Sequence, residues 1–455
     1  MGTVGISFGS PTSGQGFDVS STVSQIVAHL QATETPWQTE LTALQSQDTA
    51  LTSIGNDLSS LASALGNLTG TQGVLSEKEG SSSDESILTL TGASSSAVAG
   101  SHSVTVNSLA STASWYGTAI NSGDTLAGSL TINGQTITID SSTDTLASLA
   151  SAINGGNYGV TANVLTTSSG SMLSLVSQTS GAAGNITVSS SLTDATSGGS
   201  SIGITQAQTG ADASLSVDGI AITSSSNTVT DAIPGVTMQL LSASSSTDVQ
   251  VEITNDNSDV ESAVTSFVNA YNTVIGDLNT QEGNDSSGNP EPLYGNPAIA
   301  MIQEQLETAV NFSQSSGAIT SLTQLGVSMN DDGTLSLDTD TLNSELSSNY
   351  QNVVNFFQPG SGFTSYGDNF TSTLNELSNS APDGEIYLSL QQDSSEEFML
   401  NANISNENAY ISTQQANLTA ELNAANDTLE EIPSQINEVN ELYSAITGYN
   451  ENPNG

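Results

Sequence analysis

Two segments with a seven-residue apolar repeat lie at opposite ends of this chain, and a Ser/Thr/Gly-rich stretch with strand-like alternation lies between them. Leu44, Leu51, Leu58 and Leu65 recur every seven residues, with Ile54, Leu61 and Leu68 three behind them, an a/d seam over about four heptads. Far along the chain Ile404, Ile411, Leu418, Ala425, Ile432, Val439 and Ile446 repeat at the same period, followed at a spacing of four by Leu422, Leu429, Ile436 and Tyr443. A lone helix cannot cover such a seam, so each stripe needs another segment or another subunit. The two ends are the natural partners for one another. The resulting expectation is an α+β multidomain chain: a helical coiled-coil leg formed by the N- and C-terminal segments, carrying a β-rich head of two related modules. The residues expected to hold the leg and its assemblies together are Leu44, Leu51, Ile54, Leu58, Leu61, Leu65, Ile411, Leu418, Leu422, Leu429 and Ile436.

Charge narrows the partners. Among 455 residues there are 47 acids, one lysine (Lys78), no arginine and two histidines, for a net charge of −46. That field repels phosphate backbones and anionic lipid, which removes nucleic acid as a partner. No apolar run approaches about 18 residues, so membrane insertion is not expected. Residues 1–16 lack a basic start and an apolar core and do not resemble a Sec signal. With no lysine or arginine in the leg, ion pairs there would require His29. Almost all the charge is carboxylate, and below about pH 3 it would be neutralised, a composition that suits an acidic exterior or, equally, a general avoidance of basic residues in an exported protein. Without cysteine there is no thiolate nucleophile, thiolate-held metal or disulfide.

Punctuation divides the chain further. Asp18 is placed to cap a first helix whose apolar face is Val23, Ile26, Val27 and Leu30; Thr35-Pro36-Trp37-Gln38 predicts a new start with Thr35 as N-cap and Gln38 closing a capping box. Pro433 predicts a kink or break in the last helix. Asn133-Gly134 and Asp218-Gly219 each sit between alternating runs, the signature of two-residue hairpins. The expected divisions are a tail (1–16), leg helices (17–70), a joint (71–100), head modules (101–204 and 205–257), further leg helices with a small hairpin (258–393), the C-terminal coiled-coil helix (394–447) and a second tail (448–455). Glu34 to Pro36 and Gly70 to Gly80 are candidate hinges. No catalytic, cofactor or metal residues are expected. Asp331 and Asp332, like Glu430 and Glu431, are sequence neighbours that point apart, and Asn330, Asp332, Asp338 and Asp340 lack the bidentate Glu of a calcium loop.

Four blocks carry a resemblance: FDVSSTVSQIVAHLQATETPWQTELTALQSQ, VDGIAITSSSNTVTDAIPGVTMQLL, VTSFVNAYNTVIGDLN and LTQLGVSMNDDGTLSLDTDTLNSEL. With PLYGNPAIAMIQEQL they resemble the bacterial flagellar filament cap family, hook-associated protein 2. The resemblance implies export through the flagellum's own channel and a homo-oligomeric cap at the filament tip, outside the cell. It also implies contacts with flagellin and hook-filament junction proteins, and an export chaperone. A surface adhesin, with a carbohydrate-binding head on a helical stalk, is the alternative of a different class.

Overall fold

The computed structural model describes residues 16–448 apart from 361, 379–381 and 383, so the expected tails fall outside it except for Gly16 and Gly448. The described residues form two compact units, one of residues 67–263 and one that joins the segment before residue 67 to the segment from 264 onward.

The first unit is built on an antiparallel sheet in the order Ile220–Ser224, Ala213–Val217, Gly100–Ser108, Ser244–Asn255, Lys78–Ser82, Leu88–Ala93, Val236–Leu240 and Thr228–Thr230. Period-two alternation makes one face of it: Val104, Val106, Leu215, Val217, Met238, Val249, Val251 and Ile253 are buried together. Between Gly100–Ser108 and Ala213–Val217 the chain leaves this sheet and makes a separate core. There strands Ile204–Gln208, Thr112–Gly117, Gly170–Ser180 and Val160–Thr167 pair in that order. Leu130, Ile132, Leu173 and Leu175 pack with Leu149 and Ile153 of a short helix, Leu146–Gly155, whose N-terminus is closed by a Thr145/Ser148 capping box.

Both hairpin turns form as their dipeptides require. Asn133 and Asp218 each have φ of 51°, followed by Gly134 at 81° and Gly219 at 82°, the left-handed pair of a type I′ turn. Two expectations need correction. Residues 71–100 are not a joint, because strands Lys78–Ser82 and Leu88–Ala93 lie inside the large sheet. Nor do the modules follow one another along the chain. Strand Gly100–Ser108, assigned to the first module, pairs with Ala213–Val217 of the second, so residues 112–208 are an insertion. Strands adjacent in space but distant in sequence leave no local trace, which is why alternation alone misplaced the boundary.

The second unit is helical. Helices α1 (Val19–Gln31) and α2 (Thr35–Thr69) precede the β unit, and α3 is the short helix Leu146–Gly155 within it. After it come α4 (Asn257–Gln281), α5 (Pro297–Val310), α6 (Thr339–Ser348), α7 (Tyr350–Phe357), α8 (Tyr366–Leu377) and α9 (Glu385–Thr447). Asp18 caps α1 as expected, accepting the Ser21 N–H at 2.9 Å. At α2 the expected capping box is absent: Thr35 already lies inside the helix, and the Gln38 amide donates to the Glu34 carboxylate at 3.3 Å. The break expected at Pro433 does not occur, since α9 runs through it to Thr447. Phe356, Phe357, Tyr366 and Phe370 form a fully buried aromatic cluster with Phe267, whose ring stands edge-on to Phe370 at 5.4 Å.

Candidate assembly site

The α2 seam is a closed core. Leu44 is buried, and Leu51, Ile54, Leu58, Leu61 and Leu65 are at most 1% exposed. Its neighbours are not the residues that sequence periodicity nominated. Ile411, Leu418 and Leu422 of α9 pack on Val19, Val23, Val27 and Leu30 of α1, and the Phe17 N–H donates to Asn426 Oδ1 at 2.8 Å. The correction follows from helix length. α9 meets α2 where Asp393 contacts Asp48, and 18 residues later, at Ile411, it has risen by about 27 Å. Asp48 lies only 13 residues, about 20 Å, from the start of α2. By Ile411 the antiparallel helix has therefore passed α2 and lies on α1.

Beyond that contact the stripe on α9 loses its cover. Leu429 is half-buried, Ile436 is 39% exposed, and Val439, Leu442, Tyr443 and Ile446 are 56–76% exposed. Residues 436, 439, 443 and 446 share one helical face, so this end presents a continuous apolar ridge to solvent. A second apolar surface lies near the start of the same helix. There Tyr387, Leu390 and Met399 line a shallow groove with Phe398, which is 75% exposed. Asn408 and Gln415, polar within the stripe, both face solvent.

Polar groups at the α2 interfaces were not anticipated. The Asp48 carboxyl is pushed up to about 6 by burial, then by its hydrogen-bonding contact with Asp393 and that residue's charge. Asp57 is pushed up to about 6 in the same way, by burial and then by Asp277 of α4. Asp393 is raised by burial, with Glu396 and Glu397 adding repulsion. Asp48 Oδ1 and Glu397 Oε1 are buried without hydrogen-bond partners. The signal was present in the heptads: with Leu44 and Leu51 at a, Asp48 falls at e and Asp57 at g, the flanking positions where opposite charges ordinarily pair.

No group of three His, Cys, Asp or Glu side chains among the described residues has the arrangement to hold a metal ion. Asp332 serves its turn, accepting the Thr334 N–H at 3.1 Å, and Asp338 caps α6. His102 is held by Asp218, and His29 lies in the last turn of α1. No helix among the described residues is long and apolar enough to cross a membrane.

Comparison with known proteins gives a consistent result. The model of the flagellar hook-associated protein 2 C-terminus matches residues 210–447, that of its N-terminus matches 15–113, and that of the flagellin hook IN motif matches 129–179. The chain is 30% identical over 316 residues to the B-type flagellar hook-associated protein 2 of Pseudomonas aeruginosa, covering 62% of this chain and 66% of that protein. It is 29% identical over 309 residues to the flagellar hook-associated protein 2 of Aeromonas caviae, with the same shares of the two chains. It thus spans 66% of the length of these relatives. Among solved structures, the D1-D2-D3 domains of the Escherichia coli flagellar cap protein FliD share its fold. The TM-score is 0.55 at 24% identity, covering 76% of this chain and 99% of that one.

Proposed function

The chain belongs to the flagellar hook-associated protein 2 family, and on that premise we propose that it caps the flagellar filament, assembling with copies of itself at the tip and guiding exported flagellin into place beneath. The observation that carries this reading is the uncovered apolar ridge of α9, from Ile436 to Ile446, which continues the stripe that α1 covers lower down. A continuous exposed apolar ridge of this kind suits an assembly surface. The terminal helices serve as the leg and residues 78–255 as the head. The chain works outside the cell, reaches the tip through the flagellar export channel with a chaperone, and contacts flagellin and the hook-filament junction proteins.

Capping requires contacts that form and release as each subunit enters, so an interface of moderate area without ion pairs suits the task better than a tight one. Leu418, Leu422, Leu429 and Ile436 grade from half-buried to exposed along one face, which gives a fixed root and a free end.

The test is a strain lacking the gene. It should shed flagellin monomers into the medium and lose its filaments, and purified protein added back should restore them. Normal filaments in that strain would overturn the proposal.

A further inference from the structure

The insertion, residues 112–208, contains no lysine, arginine or histidine and only four charged side chains, Asp124, Asp140, Asp144 and Asp194. Two of the four are withdrawn from solvent at one place: Asp124 is 8% exposed and Asp194 4%. Both line a cavity of about 270 Å³, with Asn121, Ser197, Ser200 and Ser201 around them. Ser197 ties the pair together, its N–H donating to Asp194 Oδ1 at 2.9 Å and its hydroxyl to Asp124 Oδ2 at 3.4 Å. The remaining donors go to the same two oxygens. The Asn121 N–H and side-chain amide reach Asp124 Oδ2 at 3.1 and 3.0 Å, and the Thr196 N–H reaches Asp194 Oδ1 at 3.0 Å. Asp124 Oδ1 and Asp194 Oδ2 therefore accept no hydrogen bond among the described residues, although each side chain is more than nine-tenths buried. A carboxylate taken out of water without a counter-charge carries a large desolvation cost, and a second one in the same cavity adds repulsion.

We propose that this cavity binds a calcium-like divalent cation, with Asp124 and Asp194 as its charged ligands, and that the ion pins the turn at 121–124 to the segment 194–201. Calcium takes about 6–8 oxygens in adaptable geometry, its carboxylates completed by carbonyl oxygens and water. The cavity offers that mixture, two carboxylates with the Asn121 amide and the serine hydroxyls beside them. Magnesium demands a near-ideal octahedron and parts reluctantly with its water, so it suits the site less well. Only two ligands are acidic, which places the site with the weak, roughly millimolar calcium sites of extracellular modules rather than with tight intracellular ones. The ion supplies the positive charge that the insertion's own side chains lack. The site is separate from the α9 ridge and does not depend on the capping role.

Hydrogen exchange of the full chain tests the site, after chelator treatment and at one ionic strength, with about 10 mM calcium, with the same magnesium, or with neither. For a dissociation constant of about 1 mM, amides 121–126 and 194–202 should exchange about tenfold more slowly in calcium. Magnesium should slow them less. Asp124→Asn and Asp194→Asn keep the side-chain shape and should lose the calcium effect. Asp140→Asn changes an exposed acid of the same insertion, one that accepts the Ser142 N–H, and should keep it. Exchange in the strand Gly170–Ser180 reports whether each variant remains folded; where it does not, the wild-type calcium, magnesium and chelated measurements decide alone. No slowing in the wild-type chain would overturn the proposal, and so would equal slowing in all three variants, which would mean an adventitious ion only. Slowing by acid with none by calcium would assign the cavity a proton in place of a cation and overturn it as well.

Discussion

His102 Nδ1 lies 2.8 Å from Asp218 Oδ2, while Asp218 Oδ1 accepts the Ser103 backbone N–H at 2.9 Å. One carboxylate in the Asp218-Gly219 turn thus clamps its hairpin to the neighbouring strand Gly100–Ser108. The His102 contact, followed by the Ser103 N–H, holds the Asp218 carboxyl below its usual range. Its contribution to stability is therefore present above the ordinary aspartate value and is lost as pH falls through the lower folded one. Asp218→Asn keeps a residue suited to the left-handed turn and removes only the charge. The variant should be less stable than wild type in urea at pH 6, and the gap should close toward pH 2.5.

Asn133 occupies the corresponding corner of the other hairpin and ties three segments. Its amide donates to the Tyr158 carbonyl at 3.0 Å, and its Oδ1 accepts the Thr187 N–H at 3.1 Å. Asn133→Ala loses both bonds and places a Cβ without compensation at φ 51°. Together these cost about 2–4 kcal/mol. Urea unfolding of the insertion, followed by Trp115 fluorescence, should show the loss.

The two halves of the heptad pattern should respond differently to truncation. Leu58 is 1% exposed, so Leu58→Ala should destabilise the helical unit by about 3 kcal/mol. Leu51→Asp with Leu58→Asp should unfold the helical unit, since two buried positions would hold unpaired charge. Ile436→Ala changes a residue already 39% exposed and should shift the isolated chain by less than about 0.5 kcal/mol. It should nonetheless lower oligomerisation measured by sedimentation. Equal assembly in the Ile436 variant would remove this face from the interface.

The hydroxyls of Tyr366, in the aromatic cluster, and of Tyr271 are buried without hydrogen-bond partners. Burial, with the charge of Glu307 adding to it, raises the Tyr271 hydroxyl well above its usual value. A buried unpaired hydroxyl costs about 1–3 kcal/mol. Tyr366→Phe keeps the ring stacked on Phe356 at 4.7 Å and should raise thermal stability, read by calorimetry as an increase of about 1 kcal/mol.

What the sequence disclosed depended on range. Local chemistry was legible: Asp18 as a cap and the Asn133 and Asp218 turns follow from neighbours within a few residues. The α2 seam was also correctly identified as buried. Its partner was not, because periodicity says that Leu51 and Ile411 each need cover without saying at what height two antiparallel helices meet. The pairing of Gly100–Ser108 with Ala213–Val217 failed to show for the same reason. The Asp48 and Asp57 contacts were hidden by abundance, since in a chain with 47 acids no single carboxylate stands out until its neighbour in space is known.

Pro433 tests how far the exposed end of α9 is held by its own backbone. A proline there has no N–H to give the Leu429 carbonyl, and its ring crowds that turn. The helix continues regardless, yet from Ile436 onward its apolar side chains are largely exposed and add little packing to offset the lost bond. This turn should therefore open more readily than the turns around Ile411, which α1 covers. Pro433→Ala restores the bond and removes a penalty of about 3 kcal/mol for an interior proline. Amides 430–437 should then exchange more slowly, by up to about a hundredfold, while those near Ile411 remain unchanged. Unaltered exchange at 430–437 would mean that the neighbouring turns already absorb the defect.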